Sequence, residues 1–303
     1  MCILDLVGHT PLIRLPKLAA ALPGITLLAK AEFLNPSGSV KDRAAKAMIL
    51  EGIQSGRLTP DKTVIDATSG NTGIAYAMLG AALGLRVVIY MPANASRERK
   101  RIIRNYGARI VDTDPMEGSD GAFRAVRAAV AADPDRYFYP DQYNNPINPQ
   151  THYETTGREI WEQTGGAVTH FITGTGTSGT FMGVSRRLKE ENPALRAIAV
   201  QPDSPFHGIE GTKHMASTIK PGIWDETRPD GLVTVSTEEA YAAARLLARS
   251  EGVFAGISSG GNVAAALKLA GTLSAGAVVV TVLCDSGARY LSDPFWEDEP
   301  CCE

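Results

Sequence analysis

"THFITGTGTSGTFMG", residues 169–183, runs from a short apolar strand through a glycine-rich turn into a helix. Gly174, Gly176 and Gly179 fit the G-x-G-x-x-G spacing of dinucleotide-binding turns. The next strand, "RAIAV" (196–200), runs into Gln201, where a ribose-binding carboxylate is required. A nucleoside-triphosphate loop requires Lys followed by Ser or Thr, and here Thr180 and Phe181 follow the last glycine. What remains is an anion cradle. Backbone N–H groups and the hydroxyls of Thr177, Ser178 and Thr180 meet at a helix N-terminus. Four hydroxyl residues within seven positions favour an anion site over a turn that only packs a helix on a strand.

Outward from this turn, apolar β-branched runs alternate with helical runs. Strands are predicted at 63–68, 86–92, 108–113, 168–173, 195–200, 231–235 and 277–285. Helices are predicted at 72–84, 96–107, 121–133, 153–164, 180–191, 238–251 and 261–273. Buried strands alternating with helices predict an α/β fold with largely parallel sheets and right-handed crossovers. "YPDQYNNPINPQ" (139–150) breaks the rhythm and reads as a domain crossing. The stretch 202–230 is too long for a plain connection and reads as functional.

Bulk properties exclude several classes. The 303 residues, 44% hydrophobic and 21% charged, are ordinary for a globular chain. A net charge of −3 without long charge blocks argues against nucleic-acid and membrane-surface binding. The opening "MCILDLVGHTPLIRL" has no basic n-region, so no signal peptide is expected. Cys2, Cys284, Cys301 and Cys302 have neither zinc-ligand nor C-x-x-C spacing, which predicts no metal site and a cytoplasmic location with reduced thiols. The tail "DPFWEDEPCCE" reads as a frayed terminus.

Two further stretches carry chemistry. In "EFLNPSGSVKDRAAKAM" (32–48), Ser39 is the expected helix cap, with Asp42 three residues on. Lys41 then falls in the first helical turn, where the helix dipole opposes its charge and favours the nucleophilic amine. In "DATSGNTGIAYA" (66–77), Thr68, Ser69, Asn71 and Thr72 surround a second helix N-terminus, a carboxylate-sized anion site without arginine. Taken singly, each has a plainer reading: a surface lysine and a well-capped turn. Together, two anion cradles and one such lysine suit pyridoxal 5′-phosphate (PLP) acting on an α-amino acid.

"NPSGSVKDR" (35–43), "TSGNTG" (68–73), "GTGTSGT" (174–180) and "GISSGG" (256–261), in this order, resemble the fold type II, or β-family, PLP enzymes. The match runs from "GHTPLIRL" (8–15) to "CDSGARYL" (284–291). Within that family the chain is similar to the cysteine synthases (O-acetylserine sulfhydrylases) of B-isozyme type, through "QYNNPINPQTHYETTGREIW" (142–161) and "KPGIW" (220–224). The resemblance implies a two-domain, tryptophan synthase β-like fold with twisted sheets. Residues 37–145 would form a smaller mobile domain, and 1–36 with 146–303 a larger one. It implies that Lys41 carries the cofactor and moves the α-proton. Gly176, Thr177, Ser178, Gly179 and Thr180 would hold the cofactor phosphate, and Asn71 its phenolic oxygen. Ser258 would face the pyridine nitrogen, and Thr68, Ser69, Thr72 and Gln142 would hold the substrate carboxylate. The implied reaction is β-replacement on an activated serine to make L-cysteine, with sulfide or thiosulfate as the sulfur source. Implied partners are a second copy of the chain and serine acetyltransferase or a sulfur-carrier protein.

The long loop "SPFHGIEGTKHMASTIKPG" (204–222) leaves the leaving group open. Lys213 and His214 are candidates to meet a phosphate on O-phosphoserine; the plainer reading makes them solvated loop residues. Serine condensation of the cystathionine β-synthase type, a silent PLP-binding regulator and an NAD-binding protein are the other readings. The last predicts a colourless protein.

Overall fold

The computed structural model describes residues 1–68 and 70–296. The strands are β1 (Leu12–Arg14), β2 (Thr26–Ala31), β3 (Thr63–Ala67), β4 (Arg86–Pro92), β5 (Arg109–Thr113), β6 (Tyr137–Phe138), β7 (His170–Gly174), β8 (Arg196–Pro202), β9 (Gly231–Val235) and β10 (Val278–Leu283). The helices are α1 (Lys41–Gln54), α2 (Asn71–Leu83), α3 (Arg97–Asn105), α4 (Gly118–Ala132), α5 (Ile147–His152), α6 (Arg158–Gln163), α7 (Gly179–Glu191), α8 (Thr237–Leu246) and α9 (Ile257–Ala270).

Two sheets organise the chain. One has the order β1-β2-β10-β7-β8-β9 and the other β5-β4-β3-β6. Every described pair is parallel except β1 with β2. Parallel strands need helical crossovers, and these cover both sheet faces. Along β10, Val279 and Leu283 enter one core with α8 and α9, while Val280 and Val282 enter a second with α7. In the other sheet, Val64 packs toward α2, whereas Ile65 and Ala67 pack toward α4. Each Val, Leu or Ile fully buried in this way contributes about 1.5–3 kcal/mol.

Helix α2, "NTGIAYAMLGAAL", is buried almost all round, as a helix lacking a polar face must be. It ends on Gly84, whose φ of 68° makes the left-handed stop that favours glycine.

The alternation predicted from sequence is present, with three differences. The pairing of β1 and β2 had no periodic signal, because β2 is specified by its distant neighbour β10. The stretch 139–150 already contains the start of α5, and Pro149 is tolerated because it sits in the first helical turn, where N–H groups have no intrahelical partner. Helix α9 begins at Ile257, so "GISSGG" opens the helix instead of preceding it. The reason is close packing on α8: a Cβ at Gly260 would lie 2.1 Å from the Ala240 carbonyl oxygen.

Candidate active site

Lys41 is the first residue of α1, so the lysine does sit in the first helical turn. The cap differs from expectation. Val40 is the N-cap, and Ser39 Oγ only accepts a long 3.3 Å bond from the Lys41 N–H. The Asp42 carboxylate reaches back to Ser37, accepting from its N–H at 2.6 Å and from its hydroxyl. Burial pushes that carboxyl up to about 6, against the pull of the Ser37 hydrogen bonds. Val40 N–H donates to the Cys284 carbonyl at 2.8 Å, which ties the lysine turn to the end of β10. Deeper in α1, Arg43 forms a buried ion network with Glu32 and Glu159 that fixes the helix to the larger sheet.

The glycine turn joins β7 to α7. A Cβ at Gly176 would lie 2.1 Å from the Gly211 carbonyl oxygen, so only glycine fits there, and one at Gly179 would lie 1.9 Å from Asn148 Oδ1 and would displace that side chain. Ser178 holds φ at 75°, an uncommon value for a side-chain-bearing residue, and its buried Oγ has no partner. Asn148 Nδ2 donates to Thr177 Oγ1 at 3.2 Å, and His152 Nε2 lies 3.3 Å from Thr180 Oγ1. Burial pushes His152 down to about 3, so it is a neutral imidazole braced between Thr180 and Thr156.

The "TSGNTG" turn joins β3 to α2. Thr68 Oγ1 accepts from the Gly70 N–H at 3.1 Å. Thr72 Oγ1 donates to Gln142 Oε1 at 2.8 Å, and Gln142 Nε2 donates to the Ala67 carbonyl at 3.1 Å. Gln142, distant in sequence, thus clamps both ends of the turn. Ser69 lies outside the described residues.

One cleft gathers these parts. Lys41, Thr68, Asn71, Thr72, Gln142, Gly176, Thr177, Ser178, Thr180, Lys213 and Ser258 all line it. It lies at the C-terminal ends of β3, β7 and β10, and the N-termini of α1, α2, α7 and α9 open onto it, as α/β sheets arrange their ligand sites. Residues 3–285 match the family described as "Pyridoxal-phosphate dependent enzyme". The chain belongs to that family. It is 52% identical over 302 residues to a cysteine synthase of Aquifex aeolicus, covering 98% of this chain and 92% of the relative. It is 45% identical to cysteine synthase B of Pseudomonas aeruginosa, covering 97% of both. The fold matches the crystal structure of a cysteine synthase (OASS) from Entamoeba histolytica with TM-score 0.93 and 35% identity, covering 98% of this chain and 91% of the other.

The residues present fit the family's cofactor. The unpartnered Ser178 hydroxyl, the close-packed glycines and the first-turn N–H groups of α7, which have no partner inside the helix, suit a phosphate. Gly176→Ala is expected to displace the turn at a cost of about 1–3 kcal/mol, because its new methyl meets rigid backbone. Dialysis followed by measurement of retained cofactor absorbance checks it.

The structure gives several of these residues partners that local spacing did not indicate. Asn71 is already engaged: its Nδ2 donates to Asp285 Oδ2 at 2.7 Å, and its Oδ1 accepts from Arg289. His214 pairs with Ser217 and does not line the cleft. Lys213 does line it, its Nζ 3.6 Å from Asp120 Oδ1 and 5.2 Å from the centre of the Tyr143 ring. Burial lowers the Lys213 pKa. The turn 68–73 contains no arginine of its own, and Arg99 from α3 lines the same cleft. Arg99, Glu210, Asn262, Cys284 and Tyr290 had no signal in local spacing; only the fold brings them here. Burial pushes the Cys284 thiol up to about 11, so it stays protonated. The Cys301–Cys302 tail lies outside the described residues.

Among the described residues no helix is long and apolar enough to cross a membrane, and no group of His, Cys, Asp and Glu is placed to hold a metal.

Proposed function

We propose that this chain makes L-cysteine by β-replacement, converting O-acetyl-L-serine and sulfide to L-cysteine and acetate. The observation that carries the reading is one cleft that joins a lysine, a phosphate-type turn and a carboxylate-type turn, in a chain related to cysteine synthases along nearly its whole length. Bound PLP supplies electron withdrawal from the substrate α-carbon. Lys41 Nζ holds the cofactor at rest and then takes the α-proton as general base. The turn 176–180 holds the phosphate, and Asn71 offers its second amide N–H to the phenolic oxygen. Thr68, Ser69, Thr72 and Gln142 orient the substrate carboxylate.

Ser258 lies in the first turn of α9, buried in the cleft. Facing the pyridine nitrogen, its neutral hydroxyl would leave the ring a weaker electron sink, which suits elimination over transamination. Ser258→Asp is expected to lower kcat on the order of 10²-fold; an unchanged rate in a sulfide assay would show that this contact is misplaced.

A mobile unit of residues 37–145 closing on the larger remainder would exclude water; support comes from the second sheet, whose strands span 63–138. A homodimer follows from the resemblance and is tested by sedimentation. Serine acetyltransferase or a sulfur carrier as partner rests on the same ground.

Lys213 favours a second substrate reading, O-phospho-L-serine, since it places a cation on the cleft wall. Mixing the holoprotein with each ester, first without sulfide and then with it, separates the two. A shift of the cofactor's visible band and cysteine formation with O-acetylserine supports the first reading. The same response with O-phosphoserine alone supports the second, and a response to neither refutes both.

A further inference from the structure

Arg99 is the least expected group in the cleft. It projects from α3 and is 2% exposed. Its stem runs along the carboxylate turn, where a Cβ at Gly70 would lie 2.3 Å from Arg99 Cδ. Its guanidinium lies 4.7 Å from the centre of the Tyr290 ring and forms an ion pair with Glu210. Tyr290 in turn donates to Asp285 Oδ2 at 2.7 Å, the oxygen that also accepts from Asn71. Arg99 therefore reaches from the four-stranded unit to two segments of the other unit, with the carboxylate turn on its flank.

Glu210 is different in kind. It sits on the long loop 203–230, and its side chain is 43% exposed. A buried guanidinium needs a counter-charge. A half-exposed carboxylate on an irregular loop is a replaceable one, because water takes it back at little cost.

We propose that Glu210 is a built-in, displaceable counter-ion for Arg99, and that the substrate α-carboxylate takes over its charge-compensating role. The inference rests on the reading that the turn 68–72 receives that carboxylate. An anion arriving there has Arg99 beside it, behind Gly70. While Glu210 stays paired, the site's charge is neutralised. Once the substrate binds, Glu210 and its loop lose that hold and become free to move. The pair thus gives the site preference for substrates with a free carboxylate and couples their binding to the loop.

The test measures binding of two ligands without a leaving group, L-alanine and L-alaninamide, to the holoprotein by calorimetry. Glu210→Gln removes the competitor and, at a half-exposed position, is expected to leave folding intact. It is expected to tighten L-alanine about 10-fold, within the usual range of coupling between competing sites. Arg99→Met is expected to weaken L-alanine at least about 10-fold. L-Alaninamide, without the carboxylate, is expected to respond little to either change. Unchanged L-alanine affinity in Glu210→Gln overturns the proposal. So do equal shifts for both ligands in Arg99→Met, the sign of a merely structural arginine. Failure of the wild-type holoprotein to bind L-alanine, with turnover of either serine ester intact, also overturns it. Failure of turnover alone refutes only the reaction proposed above.

Discussion

Replacing Lys41 by alanine is expected to abolish turnover while leaving the fold intact. The side chain opens onto the cleft from the first position of α1, whose packing begins with the buried residues that follow. Loss of a positioned general base costs about 10²–10⁴-fold, and loss of the covalent cofactor anchor adds to that. Borohydride treatment of the wild-type holoprotein, followed by peptide mass spectrometry, is expected to leave a cofactor-sized adduct on the Lys41 peptide. The alanine variant is expected to show none, with a circular dichroism spectrum like the wild type. Near-wild-type cysteine formation in this variant would sink the assignment.

Arg43→Met is expected to be the most damaging change to stability. Arg43 is 3% exposed. It binds Glu32 through Nε and Nη2, both at 2.8 Å, and Glu159 through Nη1 at 2.7 Å and Nη2 at 2.8 Å. Lys30 completes the set, its Nζ 2.7 Å from Glu159 Oε2. Two cations balance two anions, all four buried. Removing Arg43 leaves two buried carboxylates against one lysine, and breaking such a set costs about 3–5 kcal/mol. In a chain of this size that lowers Tm by roughly 5–8 °C. Adding Glu32→Gln to Arg43→Met removes the surplus anion and is expected to recover part of the loss. Recovery separates charge imbalance from simple loss of packing volume.

The same network sets an acid limit. Burial raises the Glu32 pKa, but the Arg43 charge and hydrogen bonds outweigh it and hold the carboxyl down at about 2, from an ordinary 4.5. A depressed carboxylate stabilises the fold at pH values above its unfolded pKa. That contribution disappears as pH falls from about 4.5 toward about 2. Urea unfolding across this window is expected to show a steep loss for the wild type. In Arg43→Met the Glu32 part of the loss is expected to vanish or reverse, because protonation then relieves an unpaired buried charge.

The amino-acid sequence by itself determined the alternation of strands and helices, the two anion-type turns and the lysine at a helix start. Each is local: glycine where only glycine fits, hydroxyls around a helix N-terminus, apolar spacing along one element. The spacing of "GTGTSGT" is legible along the chain, but its steric reason is tertiary: Gly176 faces the Gly211 carbonyl and Gly179 faces the Asn148 side chain. Tertiary structure decided the rest. The edge pairing of β1 with β2 depends on β10, some 250 residues away, and the counter-charges of Arg43 come from β2's end and from α6. Even the partner of Asp42 differs from the local expectation, because Arg289 bonds the Ser37 carbonyl and holds that turn in place. Arg99 and Glu210 share no motif with Asp285 and Tyr290, which lie together in "CDSGARYL", and the four meet only because α3, the long loop and the segment after β10 converge on one cleft. Charge and polarity act through space, so a site assembled from three distant segments leaves no periodic trace along the chain.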